Sequence, residues 1–272
     1  MKAIVNVPIC GLYREPSMES NLEDEVLYGM IVDVLEFTGT EWCRIRTHYQ
    51  YEGFVDLRML LIDDDTVSFW GAMPKKVVFY KNFCDVLSAP RVQSVRKITL
   101  PRGACLRVLS EPENGWQSVV LVDGSHGYVP EAILREYRET PISDDEEELR
   151  KALTDTVMLY KGTHYRWGGK STMGIDCSGL CSMAYMLCGI LIFRDSKIKE
   201  GFPIHEIALE NIKPGDLIFF PGHVAMYLGG GKYCHCTAKS GYDGFTVNSL
   251  NPSDEDYRED LHKTITAVGS YF

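Results

Sequence analysis

Nine cysteines and seven histidines in 272 residues supply the side chains best suited to nucleophilic catalysis. One cysteine is placed differently from the others. In GIDCSGLCSMAYMLCG, Asp176 stands where a helix N-cap belongs, and Cys177, Cys181, Ala184 and Cys188 recur at helical spacing up to a terminating Gly189. Cys177 is therefore expected on the first turn of a buried helix. There the positive end of the helix dipole and unpaired backbone N–H groups would lower its thiol pKa below about 8.5.

A nucleophilic thiol needs an imidazole to take its proton, and that imidazole needs a group to orient it. The segment His223 to Thr237 reads as a hairpin, with HVAMYL and KYCHC on either side of Gly229-Gly230-Gly231. A turn centred on Gly229 makes paired residue numbers sum to 458 and sets His223 directly opposite His235. A two-residue turn would instead oppose His223 to Cys236. In the first register the imidazoles share a face within hydrogen-bond reach, and Val224, Met226 and Leu228 point to the core.

The other cysteines and histidines have plainer readings. Cys181 and Cys188 are expected as small core residues on the buried helix face. Cys234 and Cys236 flank His235 in sequence, but strand alternation turns them away from it and no Cys-x-x-Cys knuckle accompanies them, so no metal site is expected. His48, His126, His164, His205 and His262 show no partner pattern.

The elements ahead of this region repeat. An offset of 74 positions with no gap aligns Cys10 with Cys84, Pro16 with Pro90, Gly29 with Gly103, Trp42 with Trp116, Gly53 with Gly127 and Val55 with Val129. Each copy predicts short strands: Met30 to Leu35, Trp42 to Arg46 and Gly53 to Val55, then Ala104 to Leu109, Trp116 to Leu121 and Gly127 to Val129. Trp42 and Trp116 are expected in the cores. After Tyr137, Pro141 and the Ser143-Asp-Asp-Glu helix start mark a boundary.

Composition limits the functions open to the chain. With 28 Lys plus Arg against 38 Asp plus Glu, the net charge of -10 lacks the basic surplus of a phosphate-backbone binder, so nucleic acid is not an expected partner. No apolar run reaches the roughly 18 residues of a membrane span. The scattered, odd cysteine count reads as reduced thiols, and MKAIVNVPICGLYREP carries no secretory signal pattern, so a cytoplasmic location is expected.

Taken in order, DCSGL, PGDLIFF and HVAMYLGGGKYCH resemble the NlpC-type family of papain-like cell-wall cysteine peptidases over roughly residues 143 to 272. The two copies before them, GMIVDVLEFTGTEWCRIR…YEGFV and RGACLRVLSEPENGWQSVV…HGYV, resemble bacterial SH3-like domains. Together they imply an α+β chain with SH3-like barrels at residues 1–64 and 65–138 and a catalytic domain at 139–272. By the same resemblance Cys177 is the nucleophile, His223 the general base and His235 its orienting group. Ala225 stands where the family usually has Gly.

Two SH3-like domains without a signal peptide are similar to the YkfC-type γ-D-glutamyl-L-diamino acid endopeptidases of murein-peptide recycling. Their substrate is a peptidoglycan-derived peptide, L-Ala-γ-D-Glu-diamino acid with a free N-terminus, and no cofactor is implied. The resemblance assigns Tyr165 of YRWGG to face the scissile carbonyl, Asp176 and Ser178 to flank the nucleophile, and Asp195 and Ser196 of the R-D-S loop to hold the substrate amine. A buried carboxylate such as Asp195 calls for a cation, which a free α-ammonium supplies. The first barrel is expected to close the space beyond the N-terminal Ala, with Tyr51 as its candidate contact. The other readings are a secreted remodelling hydrolase or amidase of the same family, and a non-catalytic binder of cell-wall peptides.

Overall fold

A computed structural model describes all 272 residues, which divide into two compact units, Met1–Tyr137 and Arg138–Phe272. In the first unit, strands β1 (Lys2–Val5), β2 (Ile9–Tyr13), β3 (Leu22–Leu27), β4 (Ile31–Phe37), β5 (Trp42–Thr47), β6 (Glu52–Asp56) and β7 (Leu60–Leu61) form one antiparallel sheet in the order 3-2-6-5-4-1-7. After helix α1 (Asp64–Ala72) come β8 (Lys75–Val78), β9 (Phe83–Leu87), β10 (Arg96–Pro101), β11 (Cys105–Val108), β12 (Trp116–Val120), β13 (His126–Pro130) and β14 (Leu134–Glu136). Their order, 10-9-13-12-11-8-14, is the first sheet's order repeated. The residue-level repeat is thus a repeat of topology.

The two sheets share buried apolar residues. Ile4 and Tyr28 join Val78, Val86, Leu106, Val119 and Val129 in one cluster, and Trp70 of α1 completes it. The Trp70 indole donates to the Gly29 carbonyl at 3.0 Å, and the Val122 N–H donates to the Tyr28 hydroxyl at 2.7 Å. Gly29, at φ 77°, lets the chain pass so close to Cys105 that a Cβ would lie 2.3 Å from its carbonyl oxygen. Trp42 and Trp116, expected in the cores, are only half-buried. Trp42 sits edge-on to Tyr13 at 5.7 Å, and Trp70 is the tryptophan with 2% exposure.

The second unit opens with α2 (Glu146–Met158), whose N-cap Asp145 accepts the Glu148 N–H at 2.9 Å and whose first turn is acidic, as a helix N-terminus favours. A two-stranded hairpin, β15 (Lys170–Ser171) and β16 (Gly174–Ile175), leads into α3 (Cys177–Leu187). The main sheet contains β17 (His205–Ile207), β18 (Leu217–Phe220), β19 (His223–Gly229), β20 (Lys232–Thr237), β21 (Gly244–Ser249) and β22 (Ala267–Ser270), in the order 17-22-18-19-20-21. Helix α3 packs on β19 and β20. That contact brings the cysteine helix to the histidine hairpin.

Candidate active site

Every side chain of α3 is buried, and Asp176 caps it by accepting the Gly179 N–H at 2.6 Å. Gly189, at φ 81°, follows the C-cap and ends the helix where the sequence predicts. The glycine of DCSGL has a steric reason. A Cβ on Gly179 would stand 2.2 Å from the Gly169 carbonyl oxygen, so only glycine lets the first turn lie on the Tyr165–Gly169 loop. The same carbonyl accepts from the Asp176 N–H and from Arg194, both at 3.2 Å.

Asp176 is held from several sides. One carboxylate oxygen takes the Gly179 N–H, the Ser178 hydroxyl and Arg194 at 3.0 Å; the other takes the Gly168 N–H at 2.9 Å and Arg194 at 3.1 Å. Arg194 is 1% exposed and also donates to the Ser178 hydroxyl at 2.7 Å. Its guanidinium thus clamps both residues that flank Cys177. The R-D-S motif by itself assigns Arg194 no part; its signal in the sequence is a lone cation after the apolar run ILIF. Asp195 and Ser196 are half-buried, so Asp195 is less deeply sunk than expected. Asp195, Ser178, Cys181, Phe193 and Val224 line one small pocket.

The hairpin differs from its expected register. Gly230 and Gly231, at φ 59° and 78°, form the tight turn between paired Gly229 and Lys232, and a bulge takes up Leu228. Tyr227 then faces Tyr233 and Met226 faces Cys234. The ladder is displaced by two positions from the sum of 458, so His223 meets His235 diagonally and not directly. A shift of two leaves every side chain on its expected face, whereas a shift of one would have separated the imidazoles. His223 Nε2 lies 2.8 Å from His235 Nδ1.

His235 is completely buried, and its Nε2 lies 2.9 Å from Asn248 Oδ1. Asn248 stands on β21, whose strand pairing sets Tyr233 opposite Asn248 and His235 opposite Thr246. Its amide donates to the Asp256 backbone carbonyl at 2.8 Å. Nothing in the pattern FTVNS marked this residue beforehand. Cys234 and Cys236 are buried, and the Cys236 thiol donates to the Ile175 carbonyl at 3.0 Å.

The β19–β20 ladder stops at Met226 and Cys234, and beyond it the Val224 N–H is turned to the Cys177 sulfur. The nucleophile candidate therefore touches the backbone of the residue next to His223. Burial, reinforced by the Asp176 charge, pushes the Cys177 thiol up to about 11, against the pull of the Val224 N–H, Arg194 and the Ser178 N–H. The expected lowering by the helix N-terminus is thus outweighed by desolvation. Burial and the neighbouring His235 lower His223 to about 3, and burial lowers His235 to about 4. Burial thus favours the neutral form of the thiol and of both imidazoles. Burial also raises the half-buried Tyr165 phenol, which feels Cys177, Asp176 and Cys236 and so stands at the same site. Tyr51 belongs to the first unit, where its N–H and carbonyl close the β5–β6 turn on Thr47.

A buried thiol on α3, and on the strand packed against it a histidine hydrogen-bonded to a second histidine, are the groups that acyl transfer uses. The NlpC/P60 family model matches residues 162–259. A protein of Lysinibacillus sphaericus named dipeptidyl-peptidase 6 is 44% identical over 275 residues, spanning 100% of both chains. The chain belongs to the NlpC/P60 family. It is a cysteine peptidase of that family, and its second unit carries the NlpC/P60 fold. A gamma-D-glutamyl-L-lysine dipeptidyl-peptidase of Bacillus cereus is 28% identical over 79% of this chain and 67% of that protein. The crystal structure of an NlpC/P60 family protein from Bacillus cereus superposes with a TM-score of 0.83 at 21% identity, covering 100% of this chain and 99% of that one, a likeness of fold.

Proposed function

We propose that this cysteine peptidase hydrolyses the bond between γ-D-Glu and the diamino acid in murein stem peptides that carry a free N-terminal L-Ala. The reading rests on the buried Cys177 standing on the first turn of α3, which packs on β19, the strand that opens with His223 and holds it 2.8 Å from His235. The printed names of two relatives, a dipeptidyl-peptidase and a gamma-D-glutamyl-L-lysine dipeptidyl-peptidase, support its substrate class. Release of L-Ala-γ-D-Glu as a dipeptide is the activity proposed for this chain.

In the proposed reaction His223 takes the Cys177 proton as the sulfur attacks the γ-glutamyl carbonyl carbon, burial favouring the neutral form of both groups before attack. The oxyanion is received by the Cys177 backbone N–H and the Tyr165 hydroxyl. His223 returns the proton to the diamino acid's leaving amine. Water, deprotonated by the same imidazole, then hydrolyses the thioester, and the thiol regains its proton. His235 holds the His223 ring and carries part of its transient charge.

The pocket shared by Asp195 and Ser178 is the proposed seat of the substrate's α-ammonium end, with Ser196 beside Asp195 in the chain. Asp176, already carrying five hydrogen bonds, acts in this account by holding the nucleophile's turn. The two repeated sheets are proposed to be SH3-like barrels, at 1–64 and 65–138, preceding a catalytic domain at 139–272. We assign the enzyme to cytoplasmic recycling of cell-wall peptides.

The test is to incubate the protein with L-Ala-γ-D-Glu-diaminopimelate and with its N-acetylated form, following products by mass spectrometry. Cleavage of the free peptide into L-Ala-γ-D-Glu and diaminopimelate, with the acetylated form largely intact, is expected. Equal cleavage of both would overturn the free-amine requirement.

A further inference from the structure

Four groups lie in sequence across the sheet: His223, His235, Asn248 and the backbone carbonyl of Asp256. The contacts between them measure 2.8 Å, 2.9 Å and 2.8 Å. Their chemistry fixes a direction. A backbone carbonyl only accepts, so the Asn248 nitrogen must face Asp256 and its oxygen must face His235. That carbonyl also accepts the Ser249 N–H at 3.2 Å, which ties the Asp256 backbone to β21 independently of Asn248.

An amide oxygen also only accepts, so neutral His235 must carry its hydrogen on Nε2. Its Nδ1 is then a lone pair, and the 2.8 Å contact requires His223 to donate from its own Nε2. Neutral His223 is left with an unprotonated Nδ1, the atom able to take a thiol proton. The reverse polarity would place a hydrogen on His223 Nδ1 and leave no base there. It would also turn a lone pair of His235 toward a lone pair of Asn248 at 2.9 Å.

We propose that Asn248, anchored on the Asp256 carbonyl, is a positioning residue that selects the base-competent tautomer of His223 through His235. It touches neither substrate nor sulfur in this account. Asp256 contributes through its backbone, while its side chain is engaged by Lys232 at 2.7 Å. The inference rests on His223 being the base in the proposed reaction, but its primary readout does not depend on the substrate.

The experiment is ring ¹⁵N NMR of the full chain labelled at histidine, at pH 7. Two-bond correlations identify which ring nitrogen carries hydrogen. In the wild type, His223 and His235 should both show a protonated Nε2 and a bare Nδ1; a protonated Nδ1 on His235 overturns the proposal without any variant. In Asn248→Leu a buried Nε2–H would have no acceptor, so the single-tautomer pattern should be lost and kcat should fall roughly 10- to 100-fold with KM nearly unchanged. Asn248→Asp keeps an accepting oxygen whether or not it is ionised, and should restore the pattern and most of kcat. An Asn248→Leu protein that folds and keeps both Nε2–H tautomers contradicts the assignment. Should the wild type fail to cleave γ-D-glutamyl peptides, the substrate reading falls, and the wild-type spectrum still decides the tautomer.

Discussion

The sulfur of Cys177 accepts the backbone N–H of Val224, the residue that follows His223. This contact, made where the β19–β20 ladder ends, couples the helix that carries the proposed nucleophile to the strand that carries the proposed base. It favours the thiolate but does not overcome burial, and the thiol stays well above its ordinary range.

A neutral resting thiol should show in alkylation. Inactivation by iodoacetamide without substrate should rise with pH through the alkaline range toward about 11, with no plateau between pH 5 and 8. His223→Ala should change the alkylation rate at pH 7 little while lowering peptide hydrolysis by roughly 10²- to 10⁴-fold. A plateau near pH 6 would mean that a thiolate–imidazolium pair exists at rest.

The buried imidazoles make the protein acid-sensitive. With folded values of about 3 and 4 against about 6.5 unfolded, His223 and His235 bind fewer protons folded than unfolded in that window. Their contribution is fully present above pH 6.5 and is lost as pH falls toward 4 and then 3. Urea midpoints of the wild type should therefore drop over that range, and His235→Asn should flatten the slope. The same variant should hydrolyse peptide better than His223→Ala, because an amide can still orient the base.

Much of this site could be read from sequence, because spacing carried it. DCSGL gave the N-cap and a buried cysteine on the helix's first turn, and the two-residue period of a strand put His223 and His235 on one face even though the register was two positions out. The bulge at Leu228 was hidden because Gly229, Gly230 and Gly231 allow several turns. Helix α1 was missed because TVSFW is rich in β-branched and aromatic residues, yet Asp63 caps it by accepting the Thr66 N–H at 2.8 Å. Thiol ionisation depends on the balance of burial against local dipoles, which no motif encodes.

Arg194 and Asp176 form a buried ion pair, so removing one partner leaves the other without its counter-charge. Arg194→Met should destabilise the second unit by about 3–5 kcal/mol in urea unfolding. The Asp176→Asn, Arg194→Met double variant should lose less than the sum of the singles. Additive losses would show that the pair contributes no coupling.

Two glycines test the close approach at the nucleophile turn. Gly179→Ala forces a methyl to within 2.2 Å of a backbone carbonyl, so α3 must move off the Tyr165–Gly169 loop, at a cost of about 1–3 kcal/mol and with reduced kcat. Gly71→Ala, in α1, meets only an Ile31 methyl at 3.8 Å and should leave activity intact while stabilising by up to about 1 kcal/mol. Thermal unfolding with peptide assays separates the two outcomes.

Attack of Cys177 on the γ-glutamyl carbonyl would leave a covalent acyl-enzyme. It is tested most directly by quenching the reaction of L-Ala-γ-D-Glu-p-nitroanilide in acid within milliseconds and mapping the protein by mass spectrometry. An L-Ala-γ-D-Glu acyl group is expected on the peptide that contains Cys177, with no acyl group and no nitroaniline release from Cys177→Ala. Acylation at another residue, or hydrolysis that survives Cys177→Ala, would contradict it.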